Sequence, residues 1–480
     1  MRLGAPEARI AGALAALEAE ERIVRGEFRP GGVRREWCDV EVLRQLRRRS
    51  LAVLRREVEP VEQETLARFL PEWQAAVRSP TRKGLDALVE SLGVLAGAPL
   101  VASTLERDVL GARVANYRAA MLDELCTSGE VVWVGTGAVG PNDGRIRLCF
   151  ADQLALLAPS WDRGDPPGDP LHERIREALA AGGASFWGQL RAGVEGPTDT
   201  ELLEALWDLV WAGEVTNDSL AALRARTTGA VRRAAGGRPV RRGRPGRLQR
   251  IGPPAGAGRW SLVAPLLQPV PTPTVSAHAA ALQLAERHGV VTREAVLAEG
   301  VVGGFASVYG VFKVLEERGQ VRRGYFVSGL GAAQFAVPGA VDRLRALRAG
   351  DDRLDAPQPG LATLSAADPA QPYGASLAWP DTPGRPARIG AALVVLRGGT
   401  PLVWHDRRSH HLVTFAAAAT DGGWADALAA LLQEGSARAV EIRKINGADL
   451  RAAAEFEWVS DAAKAVGFTD GYRGLVLRGA

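Results

Sequence analysis

The chain has 480 residues and a mass of 50.9 kDa, with 46% apolar and 24% charged residues, an ordinary globular composition with room for roughly three or four domains. Lys+Arg 59 against Asp+Glu 55 leaves a net charge of only +4, and because Lys83, Lys313, Lys444 and Lys464 are the only lysines, nearly all of the positive charge is arginine. Cys38, Cys126 and Cys149 are far apart and form no C-x-x-C pair, and no apolar run approaches the ~20 residues of a membrane span, which argues against a disulfide scaffold, a zinc ribbon and a membrane helix and predicts a reduced, cytoplasmic location.

In chain order, the first element is "IAGALAALEAEERIVRGEF", a helix running into a strand, which makes residues 1–38 a partial winged helix. Residues 39–116 read as a helical linking segment through "EVLRQLRRRSLAVLRREVE", "QETLARFLPEWQAAV" and "GLDALVESLGVLAG". Residues 117–165 hold a second unit: the helix "NYRAAMLDELCTS", a stop at Gly129, and then "EVVWVGTGAVGPNDGRIRLCF". Gly135, Gly137 and Gly140 complete the G-x-G-x-x-G pattern of dinucleotide sites. That pattern works only where a helix leaves the glycines and offers its N-terminal amides to phosphate. Here Pro141-Asn142-Asp143-Gly144 is turn chemistry and Arg145 to Phe150 alternates, so the stretch predicts a hairpin.

The same order recurs at residues 170–265. "LLEALWDLVWAGEV" has an apolar stripe, Thr198 and Glu201 form a capping box, and Gly213 ends the helix before Val215 begins a strand. It recurs again at residues 275–350 in "VYGVFKVLEERGQVRRGYFV", where Leu315, Gly319, Gln320 and Val321 stand as Leu209, Gly213, Glu214 and Val215 do. In the first copy Leu17 keeps the leucine position and Glu21 replaces the glycine. A helix followed by a two-stranded hairpin is the second half of a winged helix, so the chain predicts a tandem array. After a Pro-rich break, residues 371–480 read as strands with interspersed helices. The fold class is therefore α+β: tandem winged-helix modules, a helical linking segment and a C-terminal β-rich, barrel-like module.

Candidate chemistry concentrates in arginine. "LRARTTGAVRRAAGGRPVRRGRPGRLQR" carries ten arginines and no acid, at the position of the wing in its unit. Such a stretch repels itself unless a polyanion neutralises it, which makes Arg232, Arg233, Arg238, Arg241, Arg242, Arg244, Arg247 and Arg250 candidates for DNA-backbone contact; a solvated linker is the alternative. Lys313 on a helix and Arg322, Arg323 and Tyr325 on the following strand form a second candidate DNA-binding set, against the alternative of a charged edge strand. Trp73 is a candidate base-stacking residue, although a tryptophan in a helix more often packs. His405, His410 and His411 flank Arg407 and Arg408, which would repel a cation, so no metal site is assigned. Cys38 lacks a nearby histidine and reads as structural. No G-x-x-x-x-G-K-[ST] occurs, so a Walker-type ATP site is not expected, and no cofactor is assigned.

"EERIVRGEFRPGGVRREWCD", "RFLPEWQ", "MLDELCTSGEVVW", the long stretch from "GVVTREAVLAEG" to "GAVDRLRA", "QPYGASLAWP" and "GYRGLVLRG" occur in an order that resembles the C-terminal region of bacterial Lhr, the large helicase-related proteins. The resemblance implies DNA as partner, a DNA-repair setting, and a RecA-like helicase core in the same or a partner polypeptide. It also implies an architecture similar to the AlkZ-type winged-helix DNA glycosylases, whose signature is a Gln-x-Gln or Gln-x-Asp pair. Gln74 is followed here by Ala75 and Ala76, so Gln74 is a weak catalytic candidate and the catalytic residue is unassigned. A DNA glycosylase and a self-assembling scaffold (a homo-oligomer) remain as alternatives to a DNA-binding helicase module.

Overall fold

The computed structural model describes residues 6–28, 35–46, 59–77, 81–234, 252–331, 333–351, 359–450 and 454–479. The chain divides into two compact units, residues 1–60 and 61–480. In the first, helix Glu7–Ala19 precedes an antiparallel hairpin in which Ile23–Gly26 pairs with Glu36–Asp39, and a further helical run begins at residue 40.

In the second unit, one arrangement is built three times: helix, short strand, two helices, then two strands. The first copy uses helix Gly84–Leu95, strand Leu100–Val101, the helical run 102–113, helix Ala119–Thr127 and the hairpin Val131–Ala138 with Gly144–Phe150. The second uses Pro170–Gly182, Ser185–Phe186, Trp187–Gly193, Asp199–Trp211, Val215–Asn217 and Arg259–Leu262; the third uses Pro273–His288, Val290–Val291, Arg293–Ala298, Gly304–Glu317, Arg322–Gly324 and Gln334–Ala336. In all three sheets the last strand in sequence lies in the middle and pairs antiparallel with both others. That is the winged-helix topology. Helix Gly84–Leu95 and strand Leu100–Val101 fall inside the stretch expected to be a helical linker, yet they close the sheet and core of the first copy. A two-residue strand carries no periodicity, so the sequence alone gives no sign of it.

The glycine-rich stretch is the turn of a hairpin, and the strand Gly144–Phe150 leaves the glycines where a phosphate site would need a helix. Its glycines have separate causes. Gly137 and Gly140 sit at φ 122° and 131°, which the long turn requires. Gly135 lies against the next module: a Cβ there would stand 1.9 Å from the Val210 carbonyl oxygen. Thr216 donates to the Trp133 carbonyl at 2.5 Å, so the first wing is packed onto the second module, and one hydrophobic core runs from Leu88 through Trp133 and Trp207 to Trp260.

The C-terminal module contains a six-stranded sheet. Leu361–Ser365, Ala392–Arg397, Thr400–Asp406 and His411–Thr414 are antiparallel neighbours, followed by Lys444–Ile445, which is parallel to the fourth strand, and Ala448–Asp449. The order ends in two edges, so the described strands form an open sheet, and the expected barrel is not seen among them. Val394, Leu396 and Val413 pack toward helix Gln63–Trp73, whereas Leu393, Val395 and Leu412 pack toward helix Gly423–Gln433. A sheet buried on both faces explains the uninterrupted apolar run "AALVVL". A smaller sheet of Ala439–Ile442, Leu475–Arg478 and Thr469–Asp470 adjoins it. Among the described residues no helix is long and apolar enough to cross a membrane.

Candidate nucleic-acid interface

Buried ion pairs fix how the modules of the second unit sit together. Arg113, on the helical run 102–113, reaches Asp368 through two bonds of 2.8 Å, and both side chains are fully buried. Arg407, at the end of the third strand of the large sheet, forks onto Asp108 at 2.9 and 2.6 Å. Arg287 and His288, at the end of helix Pro273–His288, hold Glu299. Burial alone would raise the Glu299 carboxyl, but the Arg287 charge and the His288 hydrogen bond outweigh it and bring it down to about 2. Arg147 from the first wing donates to the Glu299 carbonyl at 2.9 Å, which joins the first and third modules.

These contacts determine which predicted site residues remain available. Gln74 is 1% exposed, and its amide oxygen accepts from Arg113 at 3.2 Å. It sits beside the Arg113–Asp368 pair and reaches no open cleft. Trp73 donates its indole N–H to the Glu286 carbonyl at 2.7 Å, stacks on Phe69 at 5.2 Å and lies under Arg343 at 5.4 Å. These intramolecular contacts occupy the ring. Burial pushes the Cys126 and Cys149 thiols up to about 12, the behaviour of inert core cysteines. His405 is 1% exposed and lies on a strand, not at a hairpin tip; burial pushes it down to about 4.

The arginine-rich stretch begins in a helix. Ala221–Ala234 is helical and follows strand Val215–Asn217, so Arg232 and Arg233 lie on a helix within the connection expected to be an extended wing. Two other arginines of the stretch have acidic partners from distant segments. Arg224 binds Glu106 at 2.8 Å and also Asp123, and Arg226 binds Glu204 through two bonds of 2.5 Å. Arg238, Arg241, Arg242, Arg244, Arg247 and Arg250 lie outside the described residues.

The third module carries exposed cations on its last helix and outer strand. Lys313, Arg322, Arg323 and Tyr325 are all exposed. Among the described residues, Lys313, Arg322 and Arg323 have no carboxylate at ion-pair distance. Arg322 and Arg323 stand on the outer strand, opposite Ala336 and Phe335. Tyr325 accepts from the Gly329 N–H at 2.8 Å, which pins its ring at the wing. These elements are held from behind: Phe312 stacks on Phe335 at 4.9 Å, and Thr292 caps helix Arg293–Ala298. On helix Gly304–Glu317 the exposed positions before Lys313 are Ala306, Ser307 and Gly310. Small side chains let a phosphate backbone come close but cannot make the bidentate base contacts of Arg, Asn or Gln.

A model described as the large helicase-related protein winged-helix domain matches residues 61–151, and a second of the same description matches residues 270–356. A curated relative from Mycolicibacterium smegmatis, "Lhr helicase/ probable uracil glycosylase", is 42% identical over 97% of this chain and 31% of its own length. The chain belongs to the large helicase-related (Lhr) family. Another relative, "Lhr helicase/uracil glycosylase" from Escherichia coli, is 37% identical over 77% of this chain and 26% of its own length. The chain thus spans less than a third of the length of either Lhr relative. The first and third winged helices coincide with the two matched stretches, and the exposed cations of the third lie in the second of them.

Proposed function

We propose that this chain is the DNA-binding, repair-associated module of an Lhr-type helicase, and that it works beside a RecA-like motor in the same or a partner polypeptide. The observation that carries this reading is the exposed set Lys313, Arg322 and Arg323 of the third winged helix, which have no carboxylate at ion-pair distance among the described residues. Exposed lysine and arginine side chains contact phosphate oxygens first, so binding is largely sequence-independent and salt-sensitive. The arginines at 238–250 add to the same backbone grip under this proposal. The test is the salt dependence of duplex binding by fluorescence anisotropy. Replacing all three side chains with alanine lowers the slope of log K against log salt by about 2–3; an unchanged slope and affinity sinks the assignment.

A second reading follows from the printed names of both relatives: excision of uracil from DNA. Its test is to incubate a uracil-containing duplex with the chain and cleave abasic sites with alkali; an intact strand removes it. Because Gln74 is buried against Arg113, Gln74→Ala is expected to change stability and leave any such excision per folded molecule unaltered.

A further inference from the structure

The C-terminal module contains a cleft of about 570 Å³ lined by Ser409, Arg443, Lys444, Asp449, Tyr472 and Arg473. These residues come from separate segments that two strand pairings bring together. Lys444 pairs with His411 in the large sheet, and Leu475 pairs with Ile442 in the small one. The turn carrying Tyr472 and Arg473 closes on itself through Gly471 N–H to Gly474 O at 2.7 Å. It lies so close to the neighbouring strand that a Cβ on Gly474 would stand 2.1 Å from the Ile442 carbonyl oxygen. The backbone therefore fixes the turn at the rim of the cleft.

Tyr472 is 90% exposed, the highest value among the exposed large apolar or aromatic side chains described. It has no packing role that would account for an aromatic ring at that position. Beside it, Lys444 and Arg473 are exposed and have no carboxylate at ion-pair distance among the described residues. Arg443 is held in a bidentate pair with Glu441 at 2.8 Å, which orients its guanidinium at the cleft wall. Asp449 is the one carboxylate in the lining, set against three cations.

An exposed aromatic ring flanked by unpaired cations is the arrangement that holds single-stranded nucleic acid, with the base stacked on the ring and the phosphate on the cations. The volume falls within the range that holds a small ligand or one nucleotide unit. We infer that this cleft is a single-stranded DNA site that takes one nucleotide of an unpaired strand, with its base on Tyr472 and its phosphate on Lys444 and Arg473. It is separate from the duplex-facing surface of the third winged helix, and it rests on the reading of the chain as a DNA-binding module.

The experiment measures binding of a labelled short oligothymidylate and of a labelled duplex to the full chain and to Tyr472→Ala, Tyr472→Phe and a Lys444→Ala/Arg473→Ala double variant. The expected result is at least about a fivefold loss of single-strand affinity in Tyr472→Ala, near-complete retention in Tyr472→Phe, and unchanged duplex binding in both. The double variant weakens single-strand binding and flattens its salt dependence. Thymidine monophosphate competes only weakly, because it brings one phosphate and no strand. Equal competition by the mononucleotide identifies a free-nucleotide site and overturns the assignment. Oligothymidylate affinity unchanged in Tyr472→Ala and in the double variant also overturns it, while duplex binding still supports the broader reading. Absence of binding to either DNA by the unaltered chain defeats both together. Since Tyr472 and Lys444 are exposed, circular dichroism is expected to show all variants folded.

Discussion

Replacing Asp368 with asparagine keeps the shape of the side chain and removes the charge that Arg113 needs. Arg113 stays protonated at any working pH, so its guanidinium remains buried with only the Val109 carbonyl at 3.0 Å and the Gln74 amide oxygen at 3.2 Å as acceptors besides the new amide. Both members of the pair are fully buried, and solvent cannot compensate. Breaking such a pair by removing one partner costs about 3–5 kcal/mol, whereas replacing both with apolar groups of similar volume is roughly neutral. At ~2–4 °C per kcal/mol, the single variant is expected to lower the Tm of the transition containing this core by roughly 6–20 °C. Asp368 joins the C-terminal module and Arg113 the first winged helix, so hydrogen exchange should rise on both sides of the contact. The assay is a double-mutant cycle of Asp368→Leu, Arg113→Met and Arg113→Met/Asp368→Leu, with Asp368→Asn beside it, each followed by urea and thermal denaturation. A shift below about 2 °C in Asp368→Asn, or a double variant no better than either single one, would refute a charge-pair origin for the stability.

The Gly135 and Gly137 positions separate close approach from backbone conformation. Gly135→Ala must displace the Val210 carbonyl and should destabilise by about 1–3 kcal/mol or more. Gly137→Ala meets no atom within 4 Å and should cost only the strain of positive φ, about 1–2 kcal/mol; urea titration ranks the two, and equal costs would contradict the packing argument. Acid sensitivity should come in two stages. His405 is held neutral down to about 4 from an ordinary 6.5, so the unfolded chain takes up its proton first and stability falls from pH 6.5 toward 4. Glu299 is held at about 2 from an ordinary 4.5, so its contribution is complete above 4.5 and is lost as the pH drops toward 2. Each shift corresponds to about 3 kcal/mol. Denaturant titrations across this range are expected to show a smaller upper stage in His405→Phe and a smaller lower stage in Glu299→Gln.

The helix–Gly–strand signature was legible because it is local. Leu209, Gly213 and Val215 lie within one turn and one strand, and their spacing recurs at Leu315, Gly319 and Val321. The capping box read from Thr198 and Glu201 is present, with Thr198 N–H donating to Glu201 at 2.7 Å and Glu201 N–H returning to Thr198 at 3.3 Å. What the sequence hid is long-range. Two-residue strands such as Leu100–Val101 and Val290–Val291 complete their sheets without any period. The arginine stretch looked uncompensated because its acidic partners are distant in sequence: Glu106 and Asp123 of the first winged helix bind Arg224, and Glu204 of the second binds Arg226. Gln74 looked like half of a catalytic pair because nothing near it in sequence announces Arg113 or Asp368. The Tyr472 cleft has no local signature for the same reason, since its lining is drawn from three separate segments around Ser409, Lys444 and Tyr472.

Repetition of a structural unit has not meant repetition of its surface. The hairpin of the first winged helix lies against helix Asp199–Trp211, and Gly135 is what lets its backbone touch Val210. The second winged helix sends helix Ala221–Ala234 out of its strand connection, and through it Arg224 binds carboxylates of the first winged helix and Arg226 one of the second. Arg224 and Arg226 are therefore matched from within, by contacts that also join the first two winged helices. The third unit differs in that Arg322 and Arg323 point outward from its outer strand with no acidic partner among the described residues. Under the proposed function a polyanion meets these cations on the third winged helix, while the hairpin of the first is taken up as an interface with the second. On that proposal, cations held on a packed scaffold lose little entropy on meeting phosphate, and the packing that occupies the first wing leaves the third to bind.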